Sequence, residues 1–130
     1  MTDTAVTLKG MRVGDHASVT RSFSADDLRL FQQLAAHDGA ALQAVPEPLI
    51  GALFSYLLGV ELPGFGTNYL KQEMQFERPA PVGQPLTAKV EITRLRPEKH
   101  LVDLATTCMD ATGTVICRGR ALVLAQDVGA

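Results

Sequence analysis

The sequence has no tryptophan, only two cysteines among its 130 residues, and no long hydrophobic run. Two cysteines are too few for a disulfide scaffold or for a four-ligand zinc module. The longest apolar stretch, residues 49–60, contains glycine and serine and is about half the length that a membrane span needs. An excess of positive charge is also missing, because 12 basic and 14 acidic residues give a net charge of −2. Neither a nucleic acid nor a membrane is therefore expected as a partner.

The overall composition, with 46% hydrophobic and 20% charged residues, is typical of one folded domain over residues 1–130. The first five residues contain neither the basic nor the apolar segment of a secretory signal, which favours a cytoplasmic location. In that reducing compartment, Cys108 and Cys117 are interpreted as two small buried hydrophobic residues. They face each other if Thr112-Gly113 is the turn between their strands. Neither a metal nor a cofactor is predicted.

Alternation of apolar and polar residues predicts five strands. They are His16–Phe23, Tyr69–Phe76, Leu86–Ile92, Leu101–Met109 and Thr114–Leu124. Because the last four follow one another along the chain, an antiparallel sheet is favoured. The third strand alternates most clearly, and Leu86, Ala88, Val90 and Ile92 take its inward positions.

Two helices are predicted between the first and second strands. Ser24 and Asp27 suit the first turn of a short amphipathic helix, which ends near residues 37–39. The second helix starts at two prolines, positions 46 and 48, and is predicted to end at Gly59. Residues 49–58 are apolar on almost every side, and at about 16 Å the helix is too short to cross a bilayer. Protein must therefore surround it.

A curled antiparallel sheet of about five strands around one buried helix, with one short helix beside it, is the hot-dog architecture, of class α+β. One curled sheet by itself leaves an edge strand and one side of the helix open. Pairing two sheets edge to edge closes both, so a dimer is expected.

Four sets of short segments, taken in chain order, match the sequence pattern of a known family. They are Met11–Asp15 with Phe23-Ser24, Phe54–Gly59 with Leu62–Gly64, Phe76–Pro79 with Pro81–Gly83, and Ala88–Thr93. With them the sequence resembles the MaoC-like, (R)-specific enoyl-CoA hydratase branch of the hot-dog superfamily. The resemblance implies an acyl-CoA or acyl-carrier thioester as ligand. It also implies a homodimer, or a heterodimer with a related hot-dog protein.

The catalytic segment of that family departs from this sequence. Family members carry an aspartate, Asn-Pro shortly after it, and a histidine five residues after the aspartate, because hydration needs a base and an acid in one small volume. If Asp38 takes the place of the aspartate here, Gln43 stands at the histidine position, and a glutamine amide cannot exchange a proton near neutral pH. If His37 instead takes the place of the aspartate, Leu42 stands at the histidine position. The pair is incomplete, and Asp38 and His37 remain the candidates for acid–base catalysis.

Each candidate has a structural alternative. His37 would interact favourably with the negative, C-terminal end of the short helix dipole, and Asp38 would form a turn with the glycine after it. The backbone N–H groups of Leu49, Ile50 and Gly51 are predicted to bind substrate, as an oxyanion hole for a thioester carbonyl. The alternative is that the prolines only start a core helix and that Gly51 allows close packing.

Three functions follow from these residues. The first is a hydratase or dehydratase of acyl thioesters with a divergent site. The second is a non-catalytic subunit whose partner supplies the aspartate–histidine pair. The third is a thioesterase with Asp38 or Glu47 as its base, which rests on the likeness of fold. Five cations of the late strands either bind the phosphates of a CoA nucleotide or are simply solvated: Arg94, Arg96, Lys99, Arg118 and Arg120.

Overall fold

The computed structural model describes residues 10–34 and 44–125. The elements are β1 (His16–Arg21), α1 (Ala25–Leu34), α2 (Glu47–Tyr56), β2 (Asn68–Phe76), β3 (Leu86–Arg96), β4 (Leu101–Met109) and β5 (Val115–Leu124). The strands form one antiparallel sheet in the order β1-β3-β4-β5-β2. The predicted α+β class with five antiparallel strands is confirmed. The first strand along the chain and the strand after α2 form the two edges of the sheet.

The core lies between α2 and one face of the sheet. Ile50 and Phe54 of α2 are completely buried, and so are the inward residues of β3. The alternation predicted for β3 is confirmed, since Leu86, Ala88, Val90 and Ile92 are all inaccessible to solvent. Complete burial of an aliphatic or aromatic side chain stabilises the fold by about 1.5–3 kcal/mol. This layer therefore holds α2 on the sheet.

One side of α2 stays open in the single chain, as the argument for a dimer predicts. Ala52, Ser55 and Tyr56 are exposed, whereas Leu53 and Phe54 beside them are buried. The sheet covers only the helix face that carries the buried residues. The apolar residues on the remaining sides of α2 therefore line open surface or cavities.

The end of α2 differs from the prediction. Gly59 does not stop the helix, because Leu57–Glu61 continue it in a single π-helical turn. Extended backbone begins at Leu62, whose N–H donates to the Leu57 carbonyl oxygen at 2.7 Å. This bond spans five residues and satisfies a carbonyl that the helix end would otherwise leave unpaired. No glycine cap is needed at this end.

The start of α1 agrees with the prediction. The Ser24 N–H donates to Asp27 Oδ2 at 2.9 Å, and the Asp27 N–H donates to Ser24 Oγ at 3.1 Å. This reciprocal pair is a capping box. The bond from the Ser24 amide holds the pKa of Asp27 below its ordinary value. The predicted end of this helix, near residues 37–39, lies outside the described residues.

Two strand details depart from the prediction. In β2 the register shifts between Tyr69 and Lys71, so the alternation is interrupted there, and Leu70 is 54% exposed. The β4–β5 turn is wider than Thr112-Gly113, because the Asp110 N–H donates to the Thr114 carbonyl at 3.0 Å. A bulge after the turn restores the pairing farther along the two strands.

Candidate substrate-binding site at the start of α2

The chain before α2 is held against the loop that precedes β3. The Val45 N–H donates to the Ala80 carbonyl oxygen at 3.0 Å, and both side chains are buried. Pro46 precedes the helix with φ −59°, and Pro48 is its second residue. Proline suits these positions because its φ is already helical and the first turn has no carbonyl to bond.

The same prolines decide which backbone amide is available. A helix leaves four N–H groups unpaired at its start, and here Pro46 and Pro48 have no N–H to offer. The Leu49 N–H donates to the Pro46 carbonyl at 3.0 Å. Within the described residues, the Glu47 N–H is the one member of this set without an acceptor.

The prediction of three free amides at Leu49, Ile50 and Gly51 is therefore corrected. The Leu49 amide is bonded, as just described. Since α2 begins at Glu47, the amides of Ile50 and Gly51 already lie in the regular helix and point to carbonyls four residues earlier. The helix starts at the two prolines, as expected, but the free donor in its first turn is Glu47 and not residues 49–51. The two prolines were the signal in the sequence that could have located it.

Gly51 and Ser55 face β2. A Cβ placed on Gly51 would lie 3.5 Å from Met74 Cε, so the glycine allows an ordinary close contact with that side chain. One turn farther along, Ser55 Oγ lies 3.3 Å from the hydroxyl oxygen of Tyr69. Partial burial raises the pKa of Tyr69 above its ordinary value. The close-packing interpretation of Gly51 fits this geometry.

Two cavities lie on either side of the start of α2. The first measures about 450 Å³ and lies between β1, α1 and α2, with a mainly apolar lining. The second measures about 490 Å³ and lies between residues 44–47 and 76–80, with Glu47, Glu77 and Arg78 among its lining residues. The first was not predicted from the sequence, because it depends on how the two helices pack. A hydrocarbon chain suits the first cavity, and the second combines apolar lining with the charged groups of Glu47, Glu77 and Arg78.

The candidate acid–base residues His37 and Asp38 lie outside the described residues. The two other histidines of the chain are at a strand start and in a turn: His16 is exposed, and His100 occupies the turn before β4 with φ 58°. Three of the five cations on the late strands form ion pairs within the chain, in the pairs Arg96–Asp103, Arg118–Glu77 and Arg120–Glu73. For these three cations, the alternative of a solvated surface charge is therefore favoured over binding of CoA phosphates.

Within residues 10–34 and 44–125, no group of three or more His, Cys, Asp or Glu side chains is arranged to hold a metal ion. In the same ranges, no helix has both the length and the hydropathy to cross a membrane.

Comparisons with known proteins give close relatives over most of the chain. The chain is 34% identical over 128 residues to the (R)-specific enoyl-CoA hydratase of Aeromonas caviae, which covers 88% of this chain and 96% of that protein. It is 32% identical over 127 residues to the protein of the same description from Rhodospirillum rubrum, with 88% of each chain covered. The solved structure of the A. caviae (R)-hydratase involved in PHA biosynthesis superposes with a TM-score of 0.82 at 32% identity, covering 88% of this chain and 97% of that one. No family model matches the chain.

Proposed function

Because the chain belongs to the (R)-specific enoyl-CoA hydratase family and has its hot-dog fold, we propose that it binds an enoyl thioester at the start of α2. There it adds water across the conjugated double bond, or removes water in the reverse direction. The observation that carries this proposal is the unpaired Glu47 N–H at the start of α2, where Glu47 lines the second cavity and Leu49 lines the first.

The chemistry explains why a free amide matters. A base takes a proton from water, and the water oxygen bonds to the β-carbon. The electron pair of the double bond then moves toward the thioester carbonyl, whose oxygen gains negative charge until the α-carbon is protonated. A backbone N–H at the positive end of a helix stabilises that charge. The Glu47 amide has this position, with the apolar cavity beside it for the acyl chain.

The proton transfers are assigned from the sequence. Asp38 is proposed as the base for water, with His37 beside it in the chain as the alternative. Substitution of Asp38 by Asn removes the base without changing its size. Crotonyl-CoA hydration, followed by loss of the conjugated absorbance, should then fall by roughly 100-fold or more. Unchanged turnover in Asp38→Asn together with loss in His37→Ala would reassign the base.

The role of the amide has a sharper test. Glu47→Pro removes the N–H, and proline is well tolerated in the first turn of a helix. Glu47→Gln is the matched control, since it keeps the N–H and removes only the carboxylate. We expect kcat to fall by roughly 100-fold in Glu47→Pro and to stay near wild type in Glu47→Gln. Equal activity of the two variants, with both folded by circular dichroism, would contradict the assignment. Release of free CoA thiol in the same assay would instead favour a thioesterase.

A second candidate function is a non-catalytic subunit that holds the thioester while a related chain supplies the acid–base pair. The incomplete catalytic segment, with Gln43 five residues after Asp38, favours it. The purified chain would then bind crotonyl-CoA without converting it. Addition of an intact hydratase-like protein encoded nearby would start turnover.

We also propose that the chain pairs with a second copy or a related hot-dog chain along β2. This strand is an edge of the sheet, so one row of its backbone groups has no partner strand. Tyr69 and Leu70 on it are exposed, and the open side of α2 lies beside it. Edge-to-edge pairing would cover both features.

A further inference from the structure

The strand register places charged residues of β2, β3 and β4 in one row across the sheet. The paired residues are, in order from β3 to β2, Arg94, Asp103, Leu122 and Lys71. Neighbouring strands are about 4.8 Å apart, so the row crosses four strands in roughly 14 Å. Two cations therefore stand at its ends, with one carboxylate between them.

This row lies on the outer face of the sheet, away from α2. Asp103 lies between Val102 and Leu104 on β4, and both of these are completely buried in the core. Since successive side chains of a strand point to opposite faces, Asp103 and its row partners point away from the core. Lys71 is also five residues from Phe76, which lines the second cavity at the start of α2, or roughly 17 Å along β2. The row is therefore separate from the proposed thioester site.

Two further arginines make the row part of a small cavity. Arg96 of β3 and Arg120 of β5 are each two positions from a residue of the row, so they lie on the same face. The cavity measures about 220 Å³, and one carboxylate and four cations line it: Asp103, Lys71, Arg94, Arg96 and Arg120. Sites for whole small molecules usually measure about 300–1,000 Å³. This smaller volume suits a single charged group.

The charges around this cavity do not balance. Arg96 Nη2 donates to Asp103 Oδ2 at 2.7 Å. Arg120 Nε donates to Glu73 Oε1, also at 2.7 Å. Lys71 Nζ lies 3.8 Å from Glu73 Oε2, which is beyond hydrogen-bond distance. Four cations against two carboxylates leave two positive charges uncompensated, although the whole chain has a net charge of −2.

Unpaired guanidinium donors also line the cavity. Arg94 is exposed, and its guanidinium has no acceptor among residues 10–34 and 44–125. The Nε–H of Arg96 is buried and likewise has no acceptor in those ranges. A buried donor without a partner is unusual, because it has lost its hydrogen bond to water. Since guanidinium donors match the geometry of carboxylate and phosphate oxygens, the free donors indicate a site for an oxyanion.

We propose that this outer-face cavity binds the phosphate group of a small phosphomonoester, which is a second ligand and not the thioester. A phosphomonoester carries about −1.5 to −2 charges at pH 7, which matches the two uncompensated positive charges. Arg94 binds it through its N–H groups, and Lys71 binds it through its ammonium group. A single carboxylate would leave one of these two cations unmatched.

Inorganic phosphate is the probe for this site, because it presents the same charged group. Two charge-assisted contacts support a dissociation constant on the order of 1 mM. At about 20 mM phosphate and near neutral pH, the melting temperature should then rise by roughly 6 °C along a saturating curve. Potassium chloride at matched ionic strength should give no saturable rise.

Two variants remove the uncompensated charges one at a time. Arg94→Gln and Lys71→Gln replace exposed cations, so both should fold, which circular dichroism checks. Each should weaken phosphate binding roughly 10-fold, because one charge-assisted contact is lost. Lys89→Gln is the matched control for the loss of one charge, since Lys89 lies on the outer face of β3, pairs with Glu91 and does not line the cavity. Its phosphate affinity should equal that of wild type.

The results also separate this site from the thioester site. Excess butanoyl-CoA should leave the phosphate affinity unchanged, whereas loss of affinity would assign the cavity to a phosphate of the CoA nucleotide and overturn the proposal. A rise in melting temperature without saturation, or a saturable rise that persists in both Arg94→Gln and Lys71→Gln, would overturn it as well. Because the assay needs neither turnover nor thioester binding, its result is independent of the proposed function.

Discussion

Cys108 on β4 lies directly opposite Cys117 on β5, and both side chains are completely buried. The pair was predicted from an assumed two-residue turn, which is not the turn that forms. The wider turn at Asp110 is compensated by a bulge, so Cys108 and Cys117 still meet. Burial raises the pKa of each thiol to about 11. The two cysteines therefore behave as hydrophobic core residues at neutral pH, because the thiolate is the reactive form.

We expect both thiols to resist alkylation in the folded protein. At pH 8 they are buried and protonated, so labelling by iodoacetamide should be slow. In denaturant both should label rapidly, which intact-mass spectrometry counts directly. Rapid labelling of one cysteine without denaturant would contradict this account, because it would show that the structure opens around that thiol.

The same thiols should make stability fall in alkali. Their pKa values are higher in the folded chain, about 11 against 9.0 for an unperturbed thiol. Unfolded chains therefore lose these protons first, so the contribution is fully present below pH 9 and is lost as the pH rises toward 11. Urea midpoints measured between these pH values should decline. The decline should be shallower in the Cys108→Ala, Cys117→Ala double variant, whatever its stability at pH 7.

Gly119 on β5 has no room for a side chain against the backbone of β2. A Cβ at this position would overlap the Glu73 carbonyl oxygen and lie 3.0 Å from Met74 Cα, both of which are backbone atoms. Gly119→Ala should therefore destabilise the fold by about 3 kcal/mol, since the strands must separate to admit a methyl group. Gly59→Ala is the control, because nothing lies within 4 Å of its added Cβ. Thermal unfolding should separate the two variants clearly, and equal melting temperatures would contradict this account.

Loss of the capping box of α1 should destabilise the fold less than the Gly119 substitution does. Ser24→Ala removes the acceptor of the Asp27 N–H and should cost about 1 kcal/mol in urea unfolding. Because the pKa of Asp27 is lower in the folded chain, its contribution is present near neutral pH and disappears as the pH falls through that lowered pKa. Ser22→Ala, at an exposed position outside the cap, should leave the midpoint unchanged.

The edge strand makes the proposed dimer testable. Leu70→Lys places a charge on exposed β2, which should weaken pairing and shift the mass in light scattering toward the monomer. Val13→Lys introduces the same charge at a site that is 63% exposed and precedes β1, so its mass should match wild type. A wild-type chain that is monomeric at all concentrations would remove the proposal.

Local patterns allowed much of the fold to be predicted from the sequence. The inward residues of β3 and the Ser24–Asp27 cap depend on neighbours within one strand or one turn, and both predictions are confirmed. The prediction that the helix ends at Gly59 is wrong, because a π-helical turn bonds the last carbonyls instead. The catalytic candidates His37 and Asp38 stay predictions, since they lie outside the described residues.

Alternation in the strands and the apolar character of residues 49–58 were sufficient to determine the hot-dog architecture, because periodicity decides which side chains leave water. The free amide of Glu47 also follows from local sequence, because Pro46 and Pro48 remove the neighbouring donors. Tertiary structure alone decided that a cavity lies between β1, α1 and α2. It depends on how α1 packs beside α2 and β1, which is a relation between separate segments that short-range sequence patterns do not encode.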